Sequence, residues 1–454
     1  MLQISCSKLG LHRGGRRLWL EGLRLQAAGY LPGVSYAVTA ALGRVTLQIQ
    51  ETGERVVSGK TRGRSVYPVI DIDRIERLLG ECERAQVTID VGVIVIVVHP
   101  HDRAVIERRR RLLHRLCCGE PLAFGSLSHG GGILDRALHR GFEDTGVPVT
   151  LAWACERESV YLQAAIERNP VWSAETLVLH AEMEDVDTAL LPRIDVLAAG
   201  LPCTGASMAG RAKNGLRHAE EHETAGTPFL AFLDVIRRCQ PALVLLENVT
   251  AYADTASMAV IRAALARWGY DLHEHVVGAA LAGTLEQRDR LCLIAVTHGL
   301  DFEWAPQPVR ARETCLGEVL EPIGPDDPAW RRCSYLDDKE VRDQLAGKGF
   351  RLQRVTPAST ALGTIGRGYA KWRSTEPMLA HPSGDGRRRL LTPREHAAVK
   401  GVPAELVAGL PATLAHELLG QSVLYPVWRA VARMLGQHCR QWQQQFQHAA
   451  RQMA

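Results

Sequence analysis

The stretch IDVLAAGLPCTGASMAG, residues 194–210, constrains this chain more than any other. Ile194, Val196, Leu197 and Ala198 make an apolar run of strand length, and Gly200 breaks it. Pro202 fixes the backbone angle just before Cys203, and Gly205 and Ser207 continue as loop. In open α/β sheets, ligands bind beyond the carboxyl ends of the strands, where this cysteine would stand. A thiol there is a nucleophile once it is a thiolate. A buried, inert cysteine is the competing reading of the same window.

The chain has 454 residues, which suggests one large domain with one or two smaller ones. The longest apolar run, Val91 to Val98, is a strand's length and not a membrane span. The N-terminus lacks a signal-peptide pattern. Eleven cysteines are scattered with no disulfide framework and no zinc-like CxxC spacing. A reducing cytoplasm, with no metal and no membrane, is the expected setting. Net charge is only +4, yet arginines cluster at Arg108–Arg111, Arg331–Arg332 and Arg387–Arg389. Such clusters suit nucleic acid or solvated helix faces equally.

Residues 1–72 read as strand, short helix and hairpin, with tight turns at Pro32-Gly33 and Leu42-Gly43. This pattern resembles the small swapped-hairpin domains of AbrB-type and SymE-like proteins. The resemblance implies a homodimer through the N-terminal domain, or contact with DNA. Within it, residues 59–71 are basic and glycine-rich, as in a linker or phosphate-contacting arm. Residues 73–119 read as a linker of helix, strand and helix, the strand being Val87 to Val98.

From residue 120 the pattern becomes strand, loop, helix, repeated. Gly130, Gly131 and Gly132 lie between a strand and a helix and let the backbone approach a ligand. The next two strands end in Glu156 and Glu182, where nucleoside groups are caught. No lysine follows the glycines, which excludes a P-loop. The strand PALVLLENV ends in Glu247 and Asn248 and should lie beside the Cys203 strand. A thiol and a carboxyl at neighbouring strand tips form a nucleophile and proton donor set. In EQRDRLCLIAV, Arg288 and Arg290 alternate onto one face.

In this order the motifs resemble the cytosine-5 DNA methyltransferases, from about residue 122 to 436. LAFGSLSHGGG resembles the cofactor loop, GLPCTGAS the Pro-Cys loop, LLENV the Glu-Asn-Val motif and EQRDR the Gln-x-Arg-x-Arg motif. RLLTPREHA matches the Arg-x-Leu-Thr-x-Arg-Glu motif, and LLGQSV resembles the Gly-Asn-Ser-Val motif. The resemblance implies a doubly wound Rossmann-like α/β methyltransferase domain at 120–297. A smaller loop-rich target-recognition region would follow at 298–386, and the chain would return to the catalytic domain at 387–436. The small β-rich N-terminal domain would precede them, and 437–454 would be a fraying tail.

It further implies S-adenosyl-L-methionine held by Leu127, Ser128, Gly130, Gly131, Gly132, Glu156, Glu182, Pro202, Gln421, Ser422 and Val423. Double-stranded DNA would be the partner, with a cytosine flipped out of the stack. Cys203 would attack ring carbon 6, and Glu247 would hydrogen-bond ring nitrogen 3. Asn248 would orient the loop, and Arg288 and Arg290 would hold the base's carbonyl oxygen. Thr364, Arg367, Tyr369, Lys371, Arg373 and Ser207 would contact DNA. The setting would be DNA methylation in restriction–modification.

Several positions depart from the family pattern. Gly125 and Leu127 stand for an acidic residue and a phenylalanine, and His129 for a glycine. Leu201 stands for a proline, Glu286 for a glutamine and Gln421 for an asparagine. Two other readings accompany the first: an RNA cytosine-5 methyltransferase, since one branch of the family it resembles acts on transfer RNA, and a DNA-binding regulator with a weakened methyltransferase body, which the N-terminal domain and the altered glycine loop motivate.

Overall fold

The computed structural model describes residues 2–41, 43–202, 218–222, 226–308, 314–348 and 350–453. The chain forms two compact units, Met1–Glu107 and Arg108–Ala454.

The first unit is built from β-hairpins. Its strands are β1 (Gln3–Lys8), β2 (Gly10–His12), β3 (Gly15–Glu21), β4 (Ser35–Ala41), β5 (Arg44–Ile49), β6 (Arg55–Val56), β7 (Ser58–Arg62), β8 (Ser65–Asp73), β9 (Arg84–Asp90) and β10 (Val93–Val98). They form a six-stranded sheet, β1-β9-β10-β5-β4-β6, and a four-stranded sheet, β2-β3-β8-β7. One core serves both, with Leu18, Leu47, Ile70, Val87 and Ile96 all buried.

Three readings of this region are corrected. Residues 87–98 are not one strand, because the chain reverses at Val91-Gly92 and β9 pairs with β10. Gly92 takes φ +72, and the Asp90 carboxylate accepts the Val91 N–H at 2.8 Å, which fixes the turn. The basic arm is the hairpin β7–β8, turned at Gly63 with φ +63. The helix expected after residue 73 is a single turn, Glu76–Leu79.

Helix Pro100–Cys118 carries the chain into the second unit. There the strands are β11 (Leu122–Leu127), β12 (Val149–Glu156), β13 (Leu177–His180), β14 (Val196–Gly200), β15 (Leu243–Val249), β16 (Tyr270–Val277) and β17 (Arg290–Thr297). Their order is β13-β12-β11-β14-β15-β17-β16. All neighbours are parallel except around β17, which is antiparallel to both β15 and β16. The order reverses between β11 and β14, so the loops after those two strands open a crevice at the switch point.

Apolar cores cover both faces of this sheet. Phe142, Trp428 and Val431 sit in one, Phe232, Ile236 and Ile261 in the other. The C-terminal helix Tyr425–Met453 packs on Ile133–Glu143. Gly141 permits this, since a Cβ there would lie 2.5 Å from the Ala432 methyl and 2.8 Å from the Arg433 nitrogen. The expected fraying tail is therefore corrected: Cys439 and Trp442 are buried, and the Trp442 indole donates to the Asp301 carbonyl at 2.7 Å.

The arginine cluster after residue 107 is structural. Arg108 is buried over the Tyr270 ring at 4.0 Å and donates to the Trp268 carbonyl at 2.8 Å. Arg111 and Arg115 pair with the fully buried Asp195 at 3.0 and 3.1 Å. Asp195 also accepts the Ala123 N–H at 2.9 Å, so it ties β11 to the start of β14.

A three-stranded sheet joins residues 298–386 to the start of the segment that follows: β18 (Arg354–Val355), β19 (Met378–Ala380) and β20 (Arg388–Arg389). RLLTPREHA has a plain structural logic. Thr392 caps helix Pro393–Val399 in a capping box with Glu395, and Pro393 sits in the first turn. Arg389 then donates to both Glu395 oxygens, at 2.6 and 2.7 Å.

Candidate active site

A cavity of about 780 Å³ opens at the switch point. Its walls come from the loops after β11, β12, β13, β14 and β15, from residues 367–373, and from residues 417–423.

The glycine loop is held in shape by its neighbours. Ser128, Gly130 and Gly132 take φ +55, +57 and +68, a left-handed path suited to glycine. Glu156 accepts the Gly130 N–H at 2.7 Å and the Glu158 N–H at 3.0 Å. The Asn169 amide donates to the carbonyls of Gly131 at 3.2 Å and Gly132 at 2.7 Å. A Cβ at Gly132 would fall 2.5 Å from that amide nitrogen. Glu182 is half-exposed just beyond β13, 3.3 Å from Arg157. Gln421, Ser422 and Val423 line the facing wall, with the Gln421 amide nitrogen 3.6 Å from where a Cβ on Gly130 would stand.

Leu127 is a correction. It is buried in the core beneath the loop and does not line the cavity, because strand alternation turns it inward. Gly132 shapes the turn behind the wall.

The second group of residues meets at the tips of β14 and β15. Gly200 registers with Glu247 in the parallel pair. Pro202 lines the cavity and is the last described residue before Cys203. Cys203 and Ser207 lie outside the described residues. The Asn248 amide donates to the Leu201 carbonyl at 3.2 Å, which anchors the segment leading to Cys203. Arg290 lies 3.1 Å from the Glu247 carboxylate. Burial raises the Glu247 pKa, while Arg290, Arg288 and Lys400 oppose the rise.

Arg288 is placed differently from Arg290. Its guanidinium donates to the Gly420 carbonyl at 3.1 Å and reaches the Ile365 carbonyl at 3.4 Å.

Of the residues expected on DNA, Arg367, Lys371 and Arg373 are exposed on the cavity wall. Thr364 is exposed, and its hydroxyl donates to the Gln287 carbonyl at 2.8 Å. Tyr369 is corrected to a core residue. It is fully buried, its hydroxyl donates to the Pro377 carbonyl at 2.8 Å and accepts the Leu391 N–H at 2.9 Å, and its ring meets His396 and His416.

Sequence reasoning passed over Asn169, which reads only as the end of a helix before Pro170. It also passed over the cavity-wall pair Tyr161 and Glu417, joined at 2.9 Å, and over Lys400. Lys400 is fully buried, and its pKa is pushed down to about 7 by burial and by Arg288, with Glu286 opposing. Among the described residues one trio, His114, Cys118 and Glu120, brings potential metal ligands together, and none of the three lines the cavity. No described helix is long and apolar enough to cross a membrane.

The C-5 cytosine-specific DNA methylase model matches residues 137–437. The chain belongs to that family. Family relatives include the type II methyltransferase M.NlaX of Neisseria lactamica, 30% identical over 264 residues, which are 56% of this chain and 80% of that one. M.MspI of a Moraxella species is 27% identical over 263 residues, 57% of this chain and 60% of its own. M.HhaI of Haemophilus parahaemolyticus is 24% identical over 282 residues, 56% of this chain and 80% of its own. In fold, the methylase unit is similar to the S. pombe Dnmt2 methyltransferase. The TM-score is 0.55 at 17% identity, covering 70% of this chain and 98% of that one.

Proposed function

We propose that the chain methylates carbon 5 of a flipped-out cytosine in duplex DNA, with Cys203 as nucleophile and S-adenosyl-L-methionine as methyl donor. The observation that carries this is the register of Glu247 against Gly200, three residues before Cys203, with Arg290 3.1 Å from the carboxylate.

The cavity suits that cofactor. It pairs a preformed glycine loop with Glu156, Glu182, Glu184 and Glu417, carboxylates that favour a cationic sulfonium nucleoside. When bound, the cofactor supplies the methyl group. Leu127 and Gly132 leave the set of cavity-lining residues, and Ser128, Gly130, Gly131, Glu156, Glu182, Pro202, Gln421, Ser422 and Val423 remain.

On the base side, the Cys203 thiolate adds to ring carbon 6. Burial of Glu247 favours its protonated form, which donates to ring nitrogen 3 and offsets the charge that develops on the ring. Asn248 holds the Cys203 segment by its bond to Leu201, and Arg290 faces the ring's carbonyl oxygen. Carbon 5 would take the methyl group as the donor sulfonium leaves as a neutral thioether; the carbon 5 proton would pass to water, and the electron pair it leaves would restore the ring double bond and expel Cys203 from carbon 6 as thiolate. Covalent addition is what makes carbon 5 nucleophilic.

Residues 298–386 serve as the target-recognition region, with Arg367, Lys371 and Arg373 as the basic wall facing phosphates. Residues 387–436 complete the catalytic domain. The first unit is read as a pairing module that makes a homodimer, as the swapped-hairpin resemblance suggests. Support comes from β1, an edge strand that carries exposed Ile4 and is preceded by exposed Leu2. A monomeric mass by light scattering would remove that part.

The test is trapping on mixed-sequence duplexes containing 5-fluorocytosine, with cofactor, comparing wild type with Cys203→Ala. Fluorine cannot leave carbon 5 as a proton does, so the attacking thiol stays bound. A denaturant-resistant adduct that requires Cys203 is expected. An adduct on RNA alone, or none at all, refutes the proposal.

A further inference from the structure

Glu286 stands where the family pattern has a neutral glutamine. A carboxylate placed in the core needs a partner, since an unpaired buried charge is strongly destabilising. The partner is Lys400, whose ammonium lies 3.0 and 2.9 Å from the two Glu286 oxygens, with both side chains fully buried. Each member of the pair is fixed by backbone as well. The Glu286 N–H donates to the Val399 carbonyl at 3.0 Å, and the Lys400 carbonyl accepts the Tyr425 N–H at 3.2 Å.

The pair sits against Arg288, whose guanidinium is 3.5 Å from Glu286. The Glu286 carboxylate also accepts the Ile365 N–H at 3.3 Å. Arg288 bonds onward in two directions, to the Ile365 carbonyl in the recognition region and to the Gly420 carbonyl beside the cofactor wall. Those two segments touch: a Cβ on Gly420 would lie 2.5 Å from the Arg367 nitrogen.

We infer that Glu286 and Lys400 are positioning residues: their buried pair sets Arg288 as the tie between the recognition segment 362–367 and the cofactor-side segment 419–423. The inference rests on the proposed reading of these two segments. Neutral partners could fill the same volume, but they would not hold the guanidinium by charge while it bonds two carbonyls. The consequence is that seating DNA on Arg367 is felt at Gln421 through a fixed cation.

The test uses the full chain with Lys400→Met, Lys400→Arg and the double variant Glu286→Gln/Lys400→Met. The double variant removes both charges at similar volume, so it keeps a folded protein in hand where Lys400→Met alone strands a carboxylate. Hydrogen exchange is read on peptides covering 362–367 and 419–423. Turnover is read as kcat and as KM for S-adenosylmethionine. In the double variant, exchange should quicken in both segments together. Its kcat should fall about tenfold or more while KM for the cofactor and the melting temperature hold. Lys400→Arg should stay close to wild type. Wild-type exchange and kcat in the double variant would overturn the inference, and so would quickening in one segment alone. Exchange needs no turnover, so an inactive protein with coupled segments would sink the methyltransferase reading and leave this one standing.

Discussion

Gly420→Ala probes the seam between recognition and cofactor segments with a single methyl group. Gly420 lies in helix Ala412–Gln421, and its φ is not positive, so the backbone accepts alanine. Helix propensity even favours the change by about 1 kcal/mol. The new methyl, however, would stand 2.5 Å from the Arg367 nitrogen and closer still to the Gly366 carbonyl. Ordinary contact begins near 3.4 Å, so the Arg367 nitrogen must retreat by about 0.9 Å and the Gly366 carbonyl by about 1.2 Å. Overpacking of this kind costs about 1–3 kcal/mol, which leaves a net loss of roughly 0–2 kcal/mol. The melting temperature should fall by only a few degrees. Activity should fall far more, because a misplacement of about 1 Å costs on the order of a hundredfold in rate. The assay is transfer of labelled methyl groups to mixed-sequence duplex DNA, with KM for the cofactor measured in parallel. A kcat within about threefold of wild type would refute the reasoning, since it would mean the recognition segment can shift without consequence.

Three further outcomes are expected. Glu376 is nearly buried, and its pKa is raised by burial from 4.5 to about 7, with Arg373 opposing. Its folded form binds protons more tightly than the unfolded chain, so its contribution favours folding at acid pH and declines as pH rises from about 4.5 to about 7. Glu376→Gln should flatten that decline in urea midpoints, and an unchanged slope would contradict it. Asp195→Ala takes the carboxylate from Arg111, Arg115 and the Ala123 N–H, leaving the two arginines only carbonyl acceptors, and should cost about 3 kcal/mol in urea unfolding; a loss below about 1 kcal/mol would sink this account. Gly125→Asp, which restores the family's acidic residue, should destabilise by about 3 kcal/mol or more, because its Cβ would run into the Trp153 ring. Combining it with Trp153→Ala should recover part of the loss, and no recovery would mean that Trp153 is not the obstacle.

The catalytic half of the chain was legible because each strand there is a short apolar run that ends at its own chemistry. Glu156, Asn248 and Arg290 stand at or beside strand ends for that reason; parallel pairing aligns the ends carrying Glu156 and Asn248, and the antiparallel β17 brings Arg290 opposite Val249. Side-chain direction was less legible. Tyr369 sits among arginines in the sequence, yet its hydroxyl satisfies two backbone groups of the core. Arg108 looked like part of a solvent-facing or DNA-facing run, but one helical position turns it onto Tyr270. The hairpin within residues 84–98 was hidden because the apolar Val91 separates the two marks of the turn, Asp90 and Gly92. A run of valines and isoleucines cannot report where a strand stops when both arms face one core.

The departures from the family pattern have a common form that single positions cannot show. Gly125 lacks a side chain where Trp153 fills the space from the next strand. His129 replaces a glycine, and its ring pairs with Asp135 at 3.0 Å, meets Ser126 at 3.1 Å and packs edge-on against Trp172. Glu286 replaces a glutamine and finds Lys400. In each case the change at the motif has its complement on a different element, tens to more than a hundred residues away for Trp153, Trp172 and Lys400. A loop that had lost its purpose would be expected to accumulate changes without partners, since nothing would penalise a buried charge or an unfilled space there except local stability. Here the replacements rebuild the support of the glycine loop and of Arg288 with other chemistry. The altered motifs therefore argue for a site held by different contacts, and they weigh against reading the methylase unit as a decayed scaffold.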